Sequence, residues 1–261
     1  MAQIYQFRLL PCLLTSAALL PGCAAIEEPP SPVVVTAAGD GPGTPLTLSM
    51  FSAEGARAQV FVDAADQART LEVSRGSPST TPGATWTVRK SLGGTPDSLL
   101  TFIREEDGGI GLVSTAEFSD GAFTVFSPPM PISRPSIAPG KQGSYQRAVE
   151  MKVTHLDAAG KDTGKSKASG SGTVTMTYQG TTPIPRAAAN GLGTASGLLL
   201  VSTLTAELSP ATVLSTTETW YDPAGTGIIA ERRTERVKVM GVQIRGKQTL
   251  WLRQEDKPTS K

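Results

Sequence analysis

The chain has 261 residues, 24 of them Lys or Arg and 23 Asp or Glu, for a formal charge of +1. That balance argues against a nucleic-acid binder held by bulk charge, and one His with two Cys leaves too few ligands for a zinc site built from those side chains alone. Gly (27), Pro (20) and Thr (31) make a composition suited to strands joined by tight turns.

The first element is Met1 to Cys23. Arg8 is its only charge, an apolar run from Leu9 to Leu20 follows, and small residues precede Cys23. This is the layout of a secretory signal, and the run is shorter than the ~20 apolar residues of a membrane-spanning helix. Leu20-Pro21-Gly22-Cys23 resembles the lipobox of bacterial lipoproteins. The resemblance implies that residues 1–22 are a signal peptide and that the Cys23 thiol takes a diacylglycerol. It implies cleavage before Cys23 and a chain held in the membrane by N-terminal acyl chains. Ala24 rather than Asp implies sorting to the outer membrane, facing the periplasm. An ordinary secretory signal, with Cys23 incidental, is the alternative. Cleavage leaves Cys23 as the only Cys, so no internal disulfide forms.

Residues 23–45 read as the lipidated Cys and a tether. Pro29, Pro30, Pro32, Pro42 and Pro45 alternate with Gly39, Gly41 and Gly43, which gives little to bury. Residues 46–261 read as one antiparallel β domain. Leu46–Phe51 is an expected first strand. Val60, Ala64 and Ala68 fall at helical spacing, so a short helix is expected over Ala56–Arg69, against a strand through Val60-Phe61-Val62.

From Trp86 onward the period is two. Val149, Met151 and Val153 share one face opposite Glu150, Lys152 and Thr154. Val174, Met176 and Tyr178 likewise oppose three Thr. Leu198-Leu199-Leu200-Val201 is apolar on both faces, which marks a central strand. Turns are expected at Asp120-Gly121, Asp157–Gly160, Asp222–Gly225 and Arg245-Gly246. Phe126–Gly140, rich in Pro, is expected to leave the sheet, since Pro cannot donate to a ladder. Asp107–Val113 and Pro223–Ile229 echo one another 116 positions apart, each a Gly-rich turn leading into an apolar strand.

Sites for chemistry are sparse. Ala159–Ser166 fits a loose phosphate-loop pattern, but Lys167–Tyr178 alternates instead of forming the required helix. His155 and Asp157 would share a strand face, as a general base and its orienter do, yet no G-x-S-x-G elbow supplies a nucleophile. The carboxylates of Glu105-Glu106-Asp107 and Glu255-Asp256 lack the aromatics of a glycosidase cleft, and Asp107-Gly108-Gly109 lacks a calcium-ligand ladder. Arg232, Arg236 and Lys238 fall on one strand face that could meet anionic headgroups, or stand in water with Glu231 and Glu235 on the opposite side.

From Asp107-Gly108 through Pro128-Pro129 and Pro139-Gly140 to Thr219–Pro223 and Gly225-Thr226-Gly227, the order of turns resembles that of uncharacterised bacterial periplasmic β proteins. These share an open half-barrel with lipoprotein carriers of the LolA/LolB kind. The expectation is therefore a mainly β, strongly twisted open sheet or half-barrel, as one sheet or two similar meanders, with at most one short helix. Val149, Met151 and Val153, then Val174, Met176 and Tyr178, then Leu198, Leu200 and Leu204 would floor an apolar groove. The function expected is that of a non-enzymatic envelope lipoprotein binding an apolar ligand or an envelope protein, with no metal, cofactor or nucleic acid. A hydrolase using His155 and Asp157, or a purely structural lipoprotein, are the alternatives.

Overall fold

The computed structural model describes residues 59–63, 70–75, 81–134, 144–185, 196–224 and 227–254. All of them belong to the compact unit Val35–Lys261. The expected signal peptide (1–22), Cys23, the expected tether and the expected strand Leu46–Phe51 lie outside the described residues, as does Glu255-Asp256.

The described residues form twelve strands: β1 Gln59–Asp63, β2 Thr70–Arg75, β3 Thr85–Leu92, β4 Thr95–Arg104, β5 Ile110–Glu117, β6 Ala122–Ser133, β7 Ser144–Leu156, β8 Asp162–Pro183, β9 Ser196–Leu208, β10 Ala211–Tyr221, β11 Ile228–Val239 and β12 Val242–Arg253. Each pairs antiparallel with its sequence neighbour, and β1 pairs with β12, so the sheet closes into a barrel. This corrects the expected open half-barrel. An open antiparallel sheet of this size would leave one apolar face and two ladder edges bare. Closure encloses the face and pairs the edges through Phe61–Asp63 against Trp251–Arg253.

Three further expectations are corrected. The segment expected as a helix over Ala56–Arg69 contains β1, because Phe61 is worth more inside the barrel than on a short exposed helix; it is 3% exposed and packs with Leu71, Val73, Val88 and Trp251. Of the segment expected to leave the sheet, Phe126 through Ser133 stays in it as part of β6, and 135–140 lie outside the described residues. Pro is tolerated there because β6 pairs with β7 only up to Ser127, and beyond it with β5 alone. Finally, Arg245-Gly246 lies inside β12, and the chain turns at Met240-Gly241 instead.

Alternation puts one residue in two inside the barrel. Val149, Met151, Val174, Met176, Tyr178, Leu198 and Leu200 belong to one buried cluster with Leu112, Phe126 and Tyr221. The outward face of the same strands is different. Leu199, Trp220, Ile229 and Leu252 form a second cluster at one end, closed by Ile184. Trp220 keeps its indole N–H satisfied by donating to Thr182 Oγ1 at 2.9 Å. Gly197 makes this approach feasible, since a Cβ there would lie 2.9 Å from Ile229 Cδ1. Elsewhere the outward positions include Arg89, Glu150, Lys152, Glu218 and Arg232. They interrupt the outward apolar band that a membrane-spanning barrel carries.

Candidate functional site: the barrel interior

The interior holds a cavity of about 350 Å³. Its floor and walls come from inward positions of most strands, among them Phe61, Trp86, Phe102, Leu112, Phe126 and Trp251. Trp86 and Phe102 stack, with ring centroids 5.8 Å apart, because they face each other across β3 and β4. Of the residues expected to floor a groove, Met151, Val153, Leu200 and Leu204 line the cavity. Val149, Val174, Met176, Tyr178 and Leu198 also face inward but are buried in the cluster beside it. Burial pushes the Tyr178 phenol up to about 12.

The two ends of the barrel differ. At the end holding the β4–β5 turn, four charges form a closed network. Arg134 Nη1 lies 2.6 Å from Glu105 Oε2 and 2.8 Å from Asp107 Oδ2. Arg147 donates to both oxygens of Glu105, at 2.9 and 3.0 Å, and to the Pro129 carbonyl. The Arg134 guanidinium also lies 4.8 Å from the centroid of the Tyr145 ring. Burial alone would raise the Glu105 carboxyl, but hydrogen bonds from Arg134 and Arg147 and their charges outweigh it and hold it below its ordinary value. The same holds for Asp107, where the Gly109 N–H adds to Arg134. Of the carboxylates considered above for sugar or calcium chemistry, Glu105 and Asp107 are thus bound to arginines.

At the opposite end, inward positions carry charge. Lys90, Glu117, Glu231 and Arg233 line the cavity among Thr115, Thr124, Ser202 and Thr217. Lys90 Nζ lies 3.6 Å from Glu231, and Arg233 Nη2 lies 3.1 Å from Glu235. The Arg233 side chain is 48% exposed although it points inward, so water enters at this end. The cavity is therefore a cup with a charged mouth, and the salt-bridge network at the other end of the barrel is not part of its lining. Among the described residues Glu117 has no ion pair, and Thr115 Oγ1 lies 3.4 Å from its Oε1. Burial pushes the Glu117 carboxyl up. Arg233 and Lys90 oppose the rise, and Asp97 and Asp120 add to it.

Sequence reasoning missed this mouth. Glu231 and Glu235 do oppose Arg232, Arg236 and Lys238 across β11, but the Glu side, with Arg233, faces the lumen. Arg232 is taken up by Glu218 on the outer face. Ala159–Ser166 spans the β7–β8 hairpin, with Gly160 and Gly164 at φ 77° and 69° and β8 following in place of a helix. His155 is the next-to-last residue of β7, and Asp157 Oδ1 accepts the amides of Ala159 and Lys161 at 2.9 Å each, so the geometry of Asp157 is that of a turn residue. Among the described residues no group of three or more His, Cys, Asp or Glu is arranged to hold a metal ion.

No family model matches the chain, and no curated protein or solved structure gives a match to it.

Proposed function

We propose that this chain is a non-enzymatic envelope lipoprotein, anchored through Cys23 in the outer membrane and facing the periplasm, whose barrel holds an amphiphile with an apolar tail. The observation that carries the reading is the cup itself: a 350 Å³ apolar lumen opening at Lys90, Glu117, Glu231 and Arg233. Soluble domains fill their interiors; a lumen of this size lined by apolar walls with a few polar groups at one end is the usual form of a small-molecule site. An acyl chain would lie against Leu112, Phe126 and Met151, and its polar head would meet the charges at the mouth.

Native mass spectrometry of the full chain purified from membranes tests this. The expected spectrum contains a lipid adduct beyond the covalent acyl groups on Cys23. Leu204→Trp and Val153→Phe, which fill the lumen, should remove the adduct while circular dichroism stays that of a β protein. Wild-type protein that carries no adduct, and takes up no added fatty acid or phospholipid, would remove the ligand-binding reading. Cys23→Ala should abolish the covalent acyl mass; an unchanged acyl mass in that variant would remove the anchor.

A further inference from the structure

The β11–β12 hairpin has features that the cavity does not use. Residues 236–247 contain Arg236, Lys238, Arg245 and Lys247 and no carboxylate. Its turn, Met240-Gly241, has φ of 51° and 81°, the pair of positive angles that makes a tight two-residue hairpin. Around that turn Met240 is 87% exposed, Val242 65% and Ile244 42%. No other large apolar side chain among the described residues exceeds Leu214 at 38%. The tip is held in place, since the Met240 amide donates to the Pro210 carbonyl at 3.4 Å. Arg245 is shared with Asp120 and Glu235 at 3.5 Å each. Among the described residues no carboxylate lies within 4.0 Å of Arg236, Lys238 or Lys247.

We propose that this hairpin docks the barrel on an anionic lipid surface. Met240, Val242 and Ile244 enter the boundary between headgroups and acyl chains. The cations, on both faces of the hairpin, stay at the level of the phosphates, their stems running along the apolar tip. Charge complementarity decides between occupants. A nucleic acid would use the four cations and leave Met240 and Val242 in water. A stable protein interface needs on the order of 800 Å² from each partner, more than three side chains at one turn offer. An anionic bilayer takes both the apolar tip and the cations. The tip belongs to the same end of the barrel as Lys90, Glu117 and Arg233, so docking turns the cavity mouth toward lipid.

The test uses the full chain on vesicles and a probe at the tip, because a lipidated Cys23 would hold the protein on any bilayer. Val242→Trp is read against wild type, whose Trp220 and Trp251 are buried and whose Trp86 lines the lumen. On vesicles of phosphatidylcholine containing phosphatidylglycerol, the added Trp should shift to the blue and be quenched by brominated acyl chains. On phosphatidylcholine alone both signals should be lost. Replacing Arg236, Lys238, Arg245 and Lys247 by Gln, or raising the salt, should lose them on anionic vesicles as well. A Trp at 242 that stays water-exposed and unquenched on anionic vesicles would overturn the proposal. So would quenching that ignores the four cations. The lumen-filling variant Val153→Phe adds no indole, so it can be combined with Val242→Trp without disturbing this readout. Loss of the lipid adduct and loss of tip quenching therefore report on two separate readings.

Discussion

Nη1 of Arg134, at the end of β6, lies 2.8 Å from Oδ2 of Asp107 in the β4–β5 turn. Six strands further round the ring, Nη2 of Arg253, at the end of β12, lies 3.6 Å from Oδ2 of Asp222 in the β10–β11 turn. Both Asp residues also cap their own turns. Oδ1 of Asp107 accepts the Gly109 amide and Oδ1 of Asp222 the Ala224 amide, each at 2.8 Å. The two Asp are 115 positions apart and the two Arg 119, so the pairs do not follow the 116-residue echo in the sequence, part of whose second copy, Gly225-Thr226, lies outside the described residues.

Arg134→Ala should cost about 1–3 kcal/mol, because the fully buried side chain is the ion-pair partner of Asp107 and one of the two arginines on Glu105, which keeps Arg147. The cost should depend on pH. A carboxyl held low in the folded state contributes stability above its ordinary value, 4.5 for Glu105, and that contribution is lost as pH falls through the folded value. Urea titrations of wild type and variant should therefore diverge at pH 7 and converge in acid. A difference that is constant across that range would show that Arg134 acts by packing alone.

Glu117 should behave in the opposite way. Its carboxyl is raised, so the fold favours the protonated form, and stability declines as pH rises above 4.5 and through the folded value. Glu117→Gln removes that decline. The variant should match wild type near pH 4 and exceed it in thermal midpoint at pH 7. Equal midpoints at both pH values would place Glu117 in effective contact with bulk water.

The inward and outward faces of the sheet were legible from period two alone. Val149, Met151 and Val153 gave the apolar face of β7, and the two-sided burial of Leu198–Leu200 was visible in the run Leu198–Val201. The closure was not, because it rests on three residue pairs between β1 and β12, far apart in sequence. β1 itself was hidden by Ala64 and Ala68, which continue a helical spacing from Val60. The mouth was hidden for another reason. Charges on alternate positions of β11 read as a water-facing surface from either side, and only the ring decides which side is the lumen. Trp86 and Phe102 carried a signal, large aromatics at inward positions of paired strands, that was open to use.

Truncations should separate the two sides of the wall. Leu252 is 1% exposed and packed on all sides in the outer cluster, so Leu252→Ala should cost about 2–5 kcal/mol. Leu204 faces the lumen and already lacks neighbours on one side. Leu204→Ala creates less new void relative to what is there, and should cost less than about 2 kcal/mol. Guanidinium unfolding of the two variants decides the matter. Equal losses would show that the lumen is collapsed in solution.

The seam should be the first part of the barrel to open. β1 holds β12 through Phe61, Val62 and Asp63, whereas β7 and β8 match over twelve residue pairs. The free energy of local opening scales with the ladder bonds and apolar contacts broken, and β1 with β2 has few of both. Amides of Phe61–Asp63 and Thr70–Arg75 should then exchange with deuterium well before those of Val149–Val153 and Thr173–Tyr178. Val62→Pro removes a ladder donor at the seam. It should speed that exchange and raise dye binding to the lumen, while β7–β9 keep their protection. Exchange of all twelve strands at one rate, in wild type and variant alike, would mean that the barrel opens only by unfolding as a whole, and that a ligand must enter through the charged mouth.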